Sequence, residues 1–459
     1  MDLHDAEKLV RKNLSKDIEQ ITEKFAEHDY DIFIVGGFIR DLILGRSKPG
    51  QEMDLATNAR PEEIKKIFRR TIPTGIRHGT ITLIWEEKTY EITTFRADGK
   101  YTDGRHPDTV RFSKTIEEDL SRRDFTINAL AFDLRKQRLI DHHEGLKDLE
   151  AGIIRTIGNP DDRFQEDGLR LMRAIRFATV LNFRIEEKTR RSISKNLYML
   201  SKVAMERIKD EFVKLMQAEK PSQGIEFMRK SEMLRKLIPE LLTGFGLLQN
   251  KFHKYDVYYH LLYSCDAAPG DNLNVRLAAL FHDVCKPATR LNKDEAKEAT
   301  FYNHEILSSL VAKKILKRMK FSNEIINKVE KLIALHMFYY TDEWTDSAVR
   351  RFLRKAGLDL LDELFVLREA DRIGNGTKEE KSKHLEELKK RIRKILDEEN
   401  AFSLKHLKIN GQDVMRIKGI PPSPLVGKIL NAIMEKVLED SSLNTKEKLE
   451  ELVKEYKES

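Results

Sequence analysis

The chain has 459 residues, 40% of them hydrophobic and 35% charged, which gives room for about three domains and excludes an integral membrane composition. A net charge of +7 suits a polyanionic partner, and equally an excess of lysine and arginine on solvated helix faces. Cys265 and Cys285 are too few for a disulfide framework, so a reducing cytoplasm is expected; the charged N-terminus and the lack of an apolar run of about eighteen residues predict neither a signal peptide nor a membrane span.

Residues 1–29 are expected to form one amphipathic helix, with Leu9, Val10, Leu14, Ile18, Ile21 and Phe25 on its apolar stripe. The run Asp31 to Val35 predicts a strand that stops at Gly36-Gly37, with Arg40 and Asp41 on the first turn of a helix. Two glycines let the backbone approach a phosphate, and the helix N-terminus behind them favours an anion. Glu52 and Asp54 alternate on a second strand, so their carboxylates share a face. Either half alone reads as a tight turn or a solvated strand. Together they supply what two divalent metals need for in-line phosphoryl or nucleotidyl transfer.

Further short β-rich runs (Thr80 to Trp85, Thr89 to Phe95, Thr109 to Phe112, Ala129 to Leu134) and a helix near 61–70 predict one small α/β sheet. Within it, Glu91 either completes a carboxylate triad or sits on an exposed strand face. Segment 97–108 reads as a mobile loop near the site or a long turn. Past about residue 160 the strand signal disappears. Helical period then runs to the end, broken at Pro221, Pro239, Pro269-Gly270, Pro287 and Pro421-Pro422-Ser423-Pro424. The expected class is α+β, in four segments: 1–155, 156–245, 246–375 and 376–459.

Two more clusters carry chemistry. In Arg122-Arg123-Asp124-Phe125-Thr126-Ile127-Asn128, Arg123 can pair with a phosphate through two parallel bonds, and Asp124 or Asn128 can hydrogen-bond a ribose hydroxyl. Capping and surface pairing is the plain alternative. In Glu166-Asp167-Gly168-Leu169-Arg170, followed by Arg173 and Arg176, helical spacing is expected to put Asp167, Arg170 and Arg173 near one face. A carboxylate accepts from an exocyclic amine while a guanidinium donates to the adjacent ring nitrogen. Cytosine and adenine present that pattern; guanine and uracil present the reverse. An ordinary salt-bridged helix face is the competing reading.

Together the motifs Gly36-Gly37-x-x-Arg40-Asp41, Glu52-x-Asp54, Arg122 to Ala129, Glu166-Asp167-x-x-Arg170 and Arg173-Ala174-x-Arg176-Phe177 resemble the bacterial class II tRNA nucleotidyltransferases, the CCA-adding enzymes, and their poly(A) polymerase relatives. Glu206-Arg207 and Ile409-Asn410-Gly411 extend the likeness in the right order. The resemblance implies a polymerase-β-like head, then helical neck, body and tail. It implies that Gly37 and Arg40 bind the triphosphate, that Gly36 and Arg123 contact the nucleotide, that Glu52 and Asp54 hold Mg2+, and that Asp167 and Arg170 select the base with Arg173 and Arg176 nearby. The substrates implied are CTP, ATP and the 3′ end of tRNA.

Two departures stand out. The family's first acidic position is aspartate, and Glu52 moves the carboxylate oxygens by about one bond length, which near-octahedral Mg2+ tolerates poorly. The tail has Pro421-Pro422-Ser423-Pro424 where relatives carry a Pro-Gly-type turn. Separately, His260, His282-Asp283, His304, His336 and Asp371 lie in helical pattern, and the setting Leu277 to Pro287 resembles the HD phosphohydrolases. That resemblance implies a second divalent-metal site, or an HD fold kept as an RNA platform. The expected activity is addition of C and A to tRNA. CC-only, A-only or poly(A) addition share the same fold, and RNA-end hydrolysis by the HD residues or non-catalytic tRNA binding are the alternatives of another class.

Overall fold

The apolar run Ile32–Val35 forms a fully buried strand, β1, at the heart of a seven-stranded sheet. In this computed structural model the described residues are 2–47, 50–76, 79–97, 111–249, 253–291, 299–376, 382–398 and 406–456. The other strands are β2 (Asp54–Thr57), β3 (Thr71–Gly75), β4 (Thr80–Trp85), β5 (Lys88–Thr94), β6 (Arg96–Ala97), β7 (Arg111–Phe112), β8 (Ala131–Asp133) and β9 (Arg138–Ile140). The sheet order is β3-β4-β5-β2-β1-β8-β9, and β6 pairs with β7 apart from it.

The register is what matters for function. β1 runs antiparallel to β2, with Val35 opposite Asp54. β2 runs parallel to β5, with Asp54 opposite Glu91. Parallel neighbours in register project to the same face at the strand spacing of about 4.8 Å, so the two carboxylates stand side by side. β3 and β9 escaped the sequence pattern because β3 contains Pro73 and β9 is three residues long.

The expected single N-terminal helix is two, Leu3–Lys12 and Lys16–Ala26. Ser15 breaks the run by capping the second helix, its hydroxyl accepting from the Ile18 amide. Strand pairing also continues beyond residue 160: Ile153–Ile154 pairs with Arg184–Ile185, and Arg290–Leu291 with Thr300–Phe301. Ladders of two residues are too short to leave a periodic signal.

The helix Leu169–Leu181 packs against Met205–Met216 and Pro221–Lys230 and buries nine of its residues. It does not include Asp167. The helix Pro160–Glu166 ends there, Asp167 is extended (φ −143°, ψ 109°), and Gly168 starts the next helix. Asp167, Arg170 and Arg173 therefore share no single helical face, contrary to expectation. Gly168 is dictated by close approach, since a Cβ would lie 2.5 Å from the Met199 carbonyl oxygen.

The chain divides into two compact units, Met1–Pro239 with Met319–Phe321, and Glu240–Arg318 with Ser322–Ser459. In the second unit Leu273–Phe281 is buried nearly all round by Val257–Ala267, Asn323–Leu335 and Leu361–Gly374, as its continuous apolar sequence requires. Further on, Leu407, Val414, Ile433, Val437 and Leu449 belong to a separate small core. Asn410 caps Gly411–Lys418 in a capping box with Asp413, and Pro424 opens Pro424–Glu439. No described helix is long and apolar enough to cross a membrane.

The Gly168 contact makes a prediction. Gly168→Ala should destabilise the protein by about 1–3 kcal/mol in urea unfolding, the range for forced overpacking; an unchanged midpoint would show that the Met199 backbone yields freely.

Candidate active site

At the end of β1 the chain turns at Gly36, whose φ of +76° suits glycine alone. A Cβ there would lie 3.1 Å from Arg123 Nη1 and 3.9 Å from Asp54 Oδ2. The turn opens a cavity of about 610 Å³. Its walls bring together Gly36, Gly37, Arg40, Asp54, Glu91, Arg123, Asp124 and Asn128 with Asp167, Arg170, Arg173 and Arg176. Every expected nucleotide-binding position lies on this one surface. Glu52 does not: it is exposed ahead of β2 and lines a neighbouring depression with Gln51, Lys88 and Tyr90. Segment 98–108 of the expected loop lies outside the described residues.

Opposed charges set the electrostatics. The cavity walls desolvate Asp54 and raise its pKa; Arg123 counters this, and the nearby Glu52 adds to it. Arg123 is held by Asp119, its Nη2 donating to Oδ2 at 3.1 Å. The other oxygen of Asp119 accepts from Arg122 at 2.9 and 3.1 Å and from the Arg96 amide at 3.1 Å. Burial alone would raise the Asp119 pKa, but Arg123 and Arg122 hold it below the ordinary carboxylate value. Sequence reasoning missed Asp119, although its i,i+4 spacing to Arg123 was the available signal.

A hydrogen-bonded chain crosses the cavity floor. Arg40 donates to Asn128 Oδ1 at 2.6 Å, and Asn128 donates to Asp124 Oδ1 at 3.1 Å. Arg173 donates to Asp124 Oδ2 at 2.7 Å. Burial works to raise the Asp124 pKa, yet Arg173 and the Asn128 hydrogen bond keep it low.

The two base-selecting candidates are both engaged. Asp167 accepts from the Leu169 amide at 2.9 Å and from Arg207 at 3.1 Å. Arg170 donates to Glu166 at 2.5 Å and to the carbonyls of Arg163 and Arg122 at 3.1 and 2.9 Å. These bonds use three of the five N–H donors of Arg170, both on Nη1 and one on Nη2.

The second unit holds another centre. His260, His282, Asp283, His304, His336 and Asp371 are all buried and adjacent. His260 Nε2 lies 3.0 Å from His282 Nε2, 3.1 Å from Asp283 Oδ2 and 3.3 Å from Asp371 Oδ1. On the other side Asp283 Oδ1 faces His304 Nε2 at 3.0 Å and His336 Nε2 at 3.7 Å. The Nδ1 atoms of His282, His304 and His336 meet the carbonyls of Ala279, Phe301 and Ile333 at 2.6–2.9 Å. That contact aims each Nε2 at the centre, the arrangement of metal-ligating histidines. Lys286 lies 2.6 Å from Asp283, and Asp283 and Asp371 push the His282 pKa up to about 10 against the effect of burial.

Comparison with known proteins now decides the family. A model described as the poly(A) polymerase head domain matches residues 32–155, one for the RNA and SrmB-binding site of polymerase A matches 182–244, and one for tRNA nucleotidyltransferase domain 2 matches 290–453. A CCA-adding enzyme of Ligilactobacillus salivarius is 34% identical over 434 residues, covering 95% of both chains. The chain belongs to the CCA-adding enzyme family. A CCA-adding enzyme of Enterococcus faecalis is 30% identical, again over 95% of each chain. The crystal structure of the Bacillus stearothermophilus CCA-adding enzyme in complex with CTP superposes with a TM-score of 0.72 at 26% identity, over 96% of this chain and 97% of that one. The Thermotoga maritima CCA-adding enzyme complexed with tRNA shares the fold, with a TM-score of 0.58 at 22% identity over 99% of both chains. The polymerase-β-like head with a helical remainder, as expected for this family, is thus established, and the chain is a nucleotidyltransferase.

Asp124 is predicted to be structurally expensive to remove. Asp124→Ala strands the Arg173 guanidinium and should cost about 3–5 kcal/mol of unfolding free energy, as when one partner of a buried pair is lost. Chemical denaturation measures this, and a loss under about 0.5 kcal/mol, the scale of a surface pair, would contradict the buried-pair reading.

Proposed function

We propose that this protein adds C and A to the 3′ end of tRNA from CTP and ATP, releasing pyrophosphate. The observation that carries the reading is a single cavity uniting an acidic strand pair, a glycine turn and an arginine wall, in a chain related over nearly its whole length to CCA-adding enzymes. Gly37, Arg40 and Arg123 hold the triphosphate: a close backbone approach at a helix N-terminus, with guanidiniums on either side. Asp124 and Asn128 face the sugar. Asp167 accepts a hydrogen bond from the exocyclic amine of cytosine or adenine, and Arg170 donates to the ring nitrogen beside it through an N–H that its three internal bonds leave over.

Asp54 and Glu91, in register and with Glu52 close enough to raise the Asp54 pKa, form a carboxylate group suited to a hard divalent cation such as Mg2+. When bound, such an ion neutralises phosphate charge and eases deprotonation of the attacking hydroxyl. The protein's own share is to orient the triphosphate through Arg40 and Arg123 and to present the carboxylates at the cavity floor. We assign the four segments 1–155, 156–245, 246–375 and 376–459 to head, neck, body and tail, and place the enzyme in the cytoplasm.

The His/Asp centre of the second unit favours an additional reading, a divalent-metal site. The inward-aimed Nε2 atoms and the Asp283 Oδ1 and His304 Nε2 atoms that make no hydrogen bond are the support. Addition of Mn2+, Ni2+ or Zn2+ to metal-stripped protein should raise the thermal midpoint of the wild type but not of His282→Ala; equal shifts in both would remove the site. CTP incorporation is expected to survive in His282→Ala; cleavage of RNA-end phosphates by the wild type that disappears in this variant would support an added hydrolase activity at this centre.

The activity itself is tested with tRNA transcripts ending at the discriminator base, at C and at CC, each given one nucleotide at a time. C, C and then A are expected. Repeated A on a generic RNA indicates a poly(A) polymerase, and stalling after CC, or addition of A alone, indicates a partial enzyme. Asp54→Ala should lower incorporation by about a hundredfold or more, the scale of losing one preorganised charge partner of the reacting groups.

A further inference from the structure

Three arginines project from the helix Leu169–Leu181 into the cavity, and their donors are committed very differently. Arg170 is tied to Glu166 and two carbonyls, and Arg173 to Asp124. Arg176 is bound at one point: its Nε donates to Glu211 Oε2 at 2.6 Å. Its two terminal Nη groups have no partner among the described residues, and Arg176 lines the cavity. The face of its guanidinium is covered as well, lying 3.5 Å from the centre of the Phe177 ring.

Glu211 comes from the neighbouring helix Met205–Met216 and is 4% exposed. Its other oxygen lies 3.6 Å from Lys214 and 3.9 Å from Arg173 Nη1. We infer that Glu211 is a positioning residue for nucleotide recognition, acting by fixing the two-pronged donor edge of Arg176 toward the bound nucleotide. The geometry leaves Arg176 little freedom. Phe177 stacks its face, Glu211 pins its inner edge, and a planar group so held presents its outer edge in one direction. The charge argument agrees. The guanidiniums of Arg40 and Arg173 also lie 5.0 and 5.2 Å from the Phe177 ring centre, so without the Glu211 carboxylate Arg176 would be repelled out of this place.

A fork of two N–H donors takes a pair of neighbouring acceptors. On a nucleoside triphosphate these are two phosphate oxygens, or, on cytosine, the ring N3 and the O2 carbonyl, a pair that adenine lacks. The inference rests on the cavity being the nucleotide site, and Glu211 acts only through Arg176.

The test is initial-rate kinetics on tRNA ending in C or CC. Glu211→Gln keeps the size and an acceptor oxygen but not the charge. It should raise KM for CTP and ATP about tenfold, the difference between a charged and a neutral anchor at about 1.4 kcal/mol, with KM for tRNA and kcat at saturating nucleotide unchanged. Arg176→Lys keeps the charge and loses the fork, and should raise the same KM values. The double variant should be little worse than either alone, because both changes remove one interaction. Inhibition by pyrophosphate separates the acceptors: weakened inhibition in Glu211→Gln assigns the fork to phosphate, unchanged inhibition to the base. Unchanged KM in either variant, or additive effects in the double variant, overturns the inference. Should Glu211→Gln fail to fold, Arg176→Lys decides alone, since it leaves Glu211 in place. Failure of the wild type to add C and A would instead remove the assignment of the cavity itself.

Discussion

A cavity that receives a triphosphate has to gather guanidiniums before any anion is present, and bare guanidiniums repel one another. In this protein three buried carboxylates resolve that conflict. Asp119 holds Arg122 and Arg123, Asp124 holds Arg173, and Glu211 holds Arg176. Each leaves some donors facing the cavity while removing the freedom that would let the side chain swing to solvent. The arrangement is preorganised electrostatics, in which most of the ordering cost is met during folding rather than on binding. Its consequence is a division of labour, with inner carboxylates setting direction and outer guanidiniums meeting ligand.

The same constraint explains why the site spans sheet and helices. The strands supply the glycine turn and the acidic pair through register alone, since Val35, Asp54 and Glu91 are neighbours across β1, β2 and β5. The arginine wall needs longer side chains from a rigid support, which the buried helix Leu169–Leu181 provides. Asn128 and Asp124 join the two, linking Arg40 beside the glycine turn to Arg173 on the buried helix. Asp167 reaches the cavity because the helix breaks at Gly168, not because of helical periodicity.

How much of this was legible in the sequence follows from the range of each interaction. The glycine pair, the alternating acids and the Arg-Asp pairs are local patterns, and the fold brings all of them except Glu52 onto one cavity. Asp119 left a local signal in its i,i+4 spacing to Arg123, whereas Glu211 was not legible, because a buried carboxylate is known by its partners and its partner Arg176 is 35 residues away in the chain. Glu52 is a different case: it precedes the strand, so the period-two rule does not govern it, and its nearness shows only in its effect on the Asp54 pKa. The break at Ser15 and the two-residue ladders were missed because a single cap or a pair of residues carries no period. In the second unit the six His and Asp residues are scattered over 112 positions and meet only through helix packing, yet their residue types and the setting Leu277 to Pro287 had singled them out.

The central claim is that side chains of the protein, without tRNA, select the nucleotide. Equilibrium binding of CTP, ATP, GTP and UTP to the free protein in the presence of Mg2+, by calorimetry, tests it most directly. The account predicts that CTP and ATP bind about tenfold or more tightly than GTP and UTP, the discrimination given by one well-placed hydrogen-bonded pair on a base edge. Equal affinities for all four would contradict it and shift selection to the RNA.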